Sequence, residues 1–195
     1  MSVTPSFGVS ALTSFAFSGS ASDPDGDAIT YGWSYGSASA SGATATTTIA
    51  GDGTVAVRLT VTDSKGATGT DTRNVTIGTV AGTWRATLDR CPSSGNPNAA
   101  TGFMTYTMTQ TSSGVLAGTF VTGSDWCSVT TGTTGNTDNA DSNTINASAQ
   151  VRMRIKVGAF IDFVLNGTMD STGRRMTLAA SGSGLDGATF TWTKQ

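Results

Sequence analysis

The chain has 195 residues, enough for two small domains, and only 12% of them are charged, with a net charge of −2 and no histidine. Those values argue against a basic nucleic-acid footprint, against Ser/His/Asp or Cys/His catalysis, and against a histidine-bearing zinc site. No apolar run approaches the roughly 20 residues of a membrane helix, so no membrane span is expected. With 25 glycines, abundant Ser and Thr, and Val, Ile and aromatic residues at alternating positions, the chain reads as all-β.

The first unit is expected over residues 1–79. Phe15 and Phe17 alternate with small or polar neighbours in one strand. Ile29, Tyr31, Trp33 and Tyr35 share one parity in the next, and Val55, Val57, Leu59 and Val61 form a clean period-two run. Val75 and Ile77 close the unit, after a tight turn at Asp63-Ser-Lys-Gly66 in which Gly66 supplies positive φ. Asp23-Pro-Asp-Gly-Asp27, Tyr31-x-Trp33 and Val61-Thr-Asp-Ser-Lys-Gly-Ala-Thr68 occur in this order. The stretch resembles the polycystic-kidney-disease (PKD) repeat, an immunoglobulin-like β-sandwich of secreted and cell-surface proteins. Members of that family often carry Trp-Asp-Phe-Gly-Asp-Gly where this chain has Trp33-Ser-Tyr-Gly-Ser. The acidic positions of that second turn are therefore missing, and no role attached to them is carried over.

Gly78-Thr-Val-Ala-Gly82 reads as a short joint, and residues 80–195 as a meander of hairpins. Trp84, Ala86 and Leu88 alternate with polar residues, as do Met104, Tyr106 and Met108. Val151, Met153, Ile155 and Val157 alternate with Arg152, Arg154 and Lys156; Ile161, Phe163, Leu165 and Met169 follow. Met176 and Leu178, then Phe190 and Trp192, complete the pattern. Placing residues 157–159 in a loop sets Ile155 opposite Ile161, Met153 opposite Phe163 and Arg154 opposite Asp162. Successive hairpins favour closure into an antiparallel barrel, with an open or differently wound sandwich as the alternative. Gly82-Thr-Trp84 and the closing Phe190-Thr-Trp-Thr193 resemble the first and last strands of lipocalin- and avidin-type up-and-down barrels. That resemblance implies that Trp84 plugs one barrel end beside a basic residue of the last strand, here Lys194.

Candidate sites are few. Trp84, Met104, Tyr106, Met108, Met153, Phe163 and Met176 would face the barrel interior, either as its own filling or as the lining of an apolar ligand pocket. Asp23, Asp25 and Asp27 alternate in one turn, where their oxygens would either cap backbone N–H groups or hold calcium; no other cofactor is expected. Asp138 and Asp141 form a weaker acidic loop. Arg152, Arg154 and Lys156 make a basic stripe, read either as a solvated face or as an anion or polysaccharide patch. Cys91 and Cys127 suggest one disulfide, closing a loop of about 36 residues worth roughly 4 kcal/mol, against the alternative of two buried thiols. Trp126 would shield it or stack on a sugar.

These features point to a non-catalytic, extracellular pair of modules in a bacterial surface or secreted protein: a PKD-like spacer or adhesion unit carrying a barrel interaction domain. Its partner would be a protein or polysaccharide at the cell surface. Two alternatives remain open, a carrier of a small apolar ligand and a polysaccharide-binding accessory module of a secreted hydrolase. Met-Ser-Val-Thr-Pro lacks the charged and apolar regions of a signal peptide, so an exported protein would be represented here by its mature part.

Overall fold

The computed structural model describes residues 1–89, 102–123, 132–137, 143–157, 161–182 and 184–195. The chain divides into two compact units, Met1–Gly78 and Thr79–Gln195. Both are all-β, and no helix occurs among the described residues.

The N-terminal unit is a sandwich of two sheets. One contains β1 (Ser2–Thr4), β3 (Ser14–Ser18) and β6 (Thr44–Thr48), in the order β1-β3-β6. The other contains β2 (Phe7–Val9), β4 (Ile29–Tyr35), β5 (Ala38–Ser41), β7 (Gly53–Asp63) and β8 (Thr68–Gly78), in the order β2-β8-β7-β4-β5. The predicted alternation is realised: Phe15 and Phe17 from one sheet meet Trp33, Tyr35, Val57, Leu59, Val75 and Ile77 from the other in a single buried core. Phe17 lies 5.2 Å from the Trp33 ring and edge-on to Tyr35 at 5.3 Å, arrangements that add to the area buried. The Trp33 indole N–H, which burial would otherwise strand, donates to Gly42 O at 2.9 Å. Strands β5 and β6 carry no apolar alternation beyond alanine, which is why the sequence pattern does not reveal them; their place comes from pairing with β4 and β3.

The C-terminal unit is a closed barrel of eight antiparallel strands. Its members are β9 (Gly82–Leu88), β10 (Phe103–Gln110), β11 (Leu116–Thr122), β12 (Thr134–Thr137), β14 (Gln150–Val157), β15 (Ile161–Met169), β16 (Arg175–Ser181) and β17 (Thr189–Lys194). The ring runs β12-β11-β10-β9-β17-β16-β15-β14 and shuts through β12–β14. A two-residue strand, β13 (Thr144–Ile145), continues along the same edge of β14. Closure pairs each of the eight strands on both sides and divides it into an inner and an outer face.

One end is stoppered as the sequence suggested. Trp84, fully buried, donates its indole N–H to Val80 O at 2.7 Å, and the Lys194 ammonium stands 5.5 Å from its ring centroid. Lys194 also donates to Thr79 O at 2.9 Å. Residues of the presumed joint thus belong to the barrel: Val80 is buried, and its N–H donates to the Gln110 side chain at 2.8 Å.

The β14–β15 register differs from the expected one by two residues. Val157 pairs with Ile161, Ile155 with Phe163 and Met153 with Leu165, while Lys156 rather than Arg154 sits directly opposite Asp162. A slip of two keeps each apolar side chain on the inner face, so alternation cannot distinguish the two registers. Glycine matters at one place in this wall. A Cβ on Gly167 would lie 1.9 Å from Thr177 O, so β15 could not approach β16 as it does with any larger residue there. Gly167→Ala is therefore expected to cost about 1–3 kcal/mol by forced strand displacement, measurable as a lower urea midpoint.

Candidate functional site

The turn between β3 and β4 is organised by Asp23. Its Oδ1 accepts the backbone N–H of Asp25 at 2.9 Å and of Asp27 at 3.1 Å, an arrangement typical of a short polar side chain shaping its own turn. Pairing of β4 with β7 sets Ile29 against Asp63 and brings a second turn alongside. There Asp63 Oδ1 accepts from Lys65 N at 2.9 Å and from Ala67 N at 2.8 Å. One carboxylate oxygen from each of Asp23, Asp27 and Asp63 lies within 4.8 Å of the others. Asp25 is not in this group; its exposed carboxylate reaches Lys65 Nζ at 3.5 Å, and the same ammonium is 2.9 Å from Asp27. Calcium takes six to eight oxygens, whereas here two of the three carboxylates cap backbone and the third faces a lysine. The donor set acts first as a staple between two turns. Asp63 was not among the expected ligands because only strand pairing places it near Asp23.

In the barrel, all seven predicted interior residues do converge. Trp84, Met104, Tyr106, Met108, Met153, Phe163 and Met176 are each at most 2% exposed. Tyr106 packs in tilted contact against Trp192 at 4.1 Å and Phe120 at 5.1 Å, and Phe163 lies nearly parallel to Phe190 at 5.6 Å. The Tyr106 hydroxyl donates to Met104 Sδ at 3.5 Å, and full burial pushes its ionisation well above the ordinary phenol value. The Trp192 indole N–H is buried with no hydrogen-bond partner among the described residues, a cost of about 1–3 kcal/mol that the surrounding apolar packing offsets.

The outer wall is polar. A shallow groove of about 360 Å³ runs past Thr107, Thr109, Thr119 and Asn136, and an adjoining one of about 350 Å³ shares Thr107, Thr119 and Asn136 with it. Beyond the β12–β14 pairing that closes the ring, a groove of about 510 Å³ lies over β13, β14 and β15. The basic stripe of β14 is divided by its neighbours. Arg154 reaches diagonally to Asp162, with Nε 2.8 Å from Oδ1 and Nη2 on Oδ2, and this bidentate contact holds the Asp162 carboxyl below the usual 3.8. Lys156 faces the same carboxylate across the ladder. Arg152 makes no such pair among the described residues and lines the 510 Å³ groove. Cys91, Cys127, Trp126, Asp138 and Asp141 lie outside the described residues.

Residues 3–77 match the family model of the PKD domain. The N-terminal unit is a PKD domain. Its family resemblance was carried by the Asp23–Asp27 turn, Trp33 and the β7–β8 turn, the same features that link its two sheets and its two turns. Among curated proteins, none matches the chain in sequence. A solved structure from work on the promiscuous specificity of carbohydrate-binding modules of the β-sandwich superfamily aligns over 100% of this chain and 89% of its own, at 16% identity and a TM-score of 0.38.

Asp63→Ala, which strips two backbone N–H groups of their acceptor, should lower the melting temperature of the PKD domain by about 4–8 °C, the shift expected for roughly 1 kcal/mol. Chelator and millimolar calcium should give the same melting temperature. Because the Asp162 carboxyl titrates below its unfolded value, its contribution to stability is present above about pH 4 and fades as pH falls through the depressed folded value. In Arg154→Gln the Asp162 carboxyl resonance should titrate nearer the ordinary value, as followed by NMR.

Proposed function

We propose that this chain is a non-catalytic pair of modules acting outside the cell, in which the PKD domain is the spacer or adhesion unit and the barrel engages a cell-surface partner through its outer wall. One observation carries the reading: the barrel interior is filled by the chain's own large side chains, the seven candidate lining residues being at most 2% exposed. Small-molecule sites ordinarily need roughly 300 Å³ or more of accessible concave space, and among the described residues the grooves of that size over β10–β12 and β13–β15 are lined mainly by outer-wall residues. The absence of histidine and the engagement of the PKD aspartates in turn capping favour a non-catalytic role. PKD domains are typical of secreted and surface proteins, which fits this assignment, and no described helix is long and apolar enough to cross a membrane.

The test is whether the barrel admits an apolar guest. Titration of the full chain with the uncharged fluorophore N-phenyl-1-naphthylamine should give no saturable signal and no quenching of tryptophan fluorescence. Stoichiometric uptake with quenching would make the barrel a carrier and overturn the outer-wall reading.

A further inference from the structure

We propose that the groove over β13, β14 and β15 binds an anionic glycan, with Arg152 receiving its carboxylate or sulfate group. This rests on the outer-wall reading above and supplies its ligand class.

The register builds the site. Thr144 pairs with Arg152, Arg152 with Asn166, and Gln150 with Thr168, so five polar side chains of one parity stand on three adjacent strands. All five line the groove of about 510 Å³. Neighbouring strands are about 4.8 Å apart and same-face residues about 6.7 Å apart along a strand, so these groups form a grid on the scale of a sugar ring. Val151 and Gly167 contribute to the lining beneath them, and Val151 is buried. The close approach of β15 to β16 at Gly167 helps shape that wall. At the groove's edge, the Asn146 carboxamide accepts the backbone N–H of Ser148 at 2.9 Å and of Gln150 at 3.1 Å, and its Nδ2 donates to Gln150 Oε1 at 2.8 Å. That contact occupies the Gln150 acceptor and leaves its amide donor to a ligand.

Charge and composition select the ligand. Among the described residues of this face, β14 carries three cations, Arg152, Arg154 and Lys156, and β15 one carboxylate, Asp162. Arg154 and Lys156 face that carboxylate, so the guanidinium of Arg152 is the one directed to the groove, and its fork matches a carboxylate or sulfate in two-point contact. A nucleic acid would require a succession of cations along its phosphates. A protein partner would call for an aromatic or aliphatic anchor at the centre, and the groove presents hydroxyl, amide and guanidinium groups instead. With no aromatic platform among the described residues of its lining, a neutral sugar would gain little by stacking. A glycan with many hydroxyls and one acidic group per ring meets both halves of the donor set.

The full chain should migrate more slowly in native gels containing polygalacturonate or dextran sulfate than in gels containing neutral dextran. Stronger retardation by the first assigns a carboxylate to Arg152, and by the second a sulfate. Arg152→Ala should weaken binding about tenfold and Asn166→Ala several-fold. Thr107→Ala/Thr119→Ala, on the other outer grooves, should bind as the parent does. Because Arg152 is exposed, its variant should keep the parental melting temperature and circular dichroism. Equal retardation of Arg152→Ala and parent would overturn the groove while leaving an outer-wall role intact. Absence of retardation by either polyanion would overturn the ligand class, whereas failure of the outer-wall reading would register separately as uptake of the apolar fluorophore.

Discussion

Closure of the barrel sheet is the constraint on which the C-terminal half depends. Once β12 pairs with β14 and β17 with β9, every strand has one face turned into a volume that cannot reach water and one face turned out. The inner face must then be filled, and Trp84, Tyr106, Trp192, the aromatic pair Phe163–Phe190 and the methionines fill it. Methionine suits this task because its flexible thioether occupies irregular space between rigid rings. The outer wall is left to mostly polar residues, with Val121 of β11 among the exposed exceptions.

The PKD domain meets a related demand with an open sandwich. Its two sheets are clamped by aromatic contacts from Phe17 to Trp33 and Tyr35, and its solvent-facing turns are held by carboxylates instead of by burial. Asp23 and Asp63 each cap two backbone N–H groups, and Lys65 draws Asp25 and Asp27 toward the second turn. The clustered acids Asp23, Asp27 and Asp63 serve as short struts within and between these turns.

Charge on the barrel is sorted by strand register. Arg152, Arg154 and Lys156 have the same parity and look equivalent in the sequence. The observed pairing gives Asp162 to Lys156 across the ladder and to Arg154 along the diagonal, which long side chains can span. Arg152 is instead grouped with Thr144 and Asn166, residues from two other strands. The difference between a neutralised stripe and a polar groove with one directed cation comes from which residues the ladder sets side by side.

Much of this architecture was legible in the residues. The sandwich core followed from Phe15, Phe17, Trp33 and the Val55–Val61 run, and the barrel's inner set from seven alternating side chains, because the face on which a strand residue lies is a local property with period two. The stopper of Trp84 and Lys194 was visible through family resemblance. Strands β5 and β6 were not, since Ala, Ser and Thr carry no apolar parity. Nor were the proximity of Asp63 to Asp23, the exclusion of Asp25, or the two-residue shift between β14 and β15. Each of these is a relation between segments, settled by hydrogen-bonded register and sheet closure, and a slip of two residues leaves every parity unchanged. The sequence by itself therefore determined which side chains face inward; the tertiary structure alone decided which outward-facing ones became neighbours.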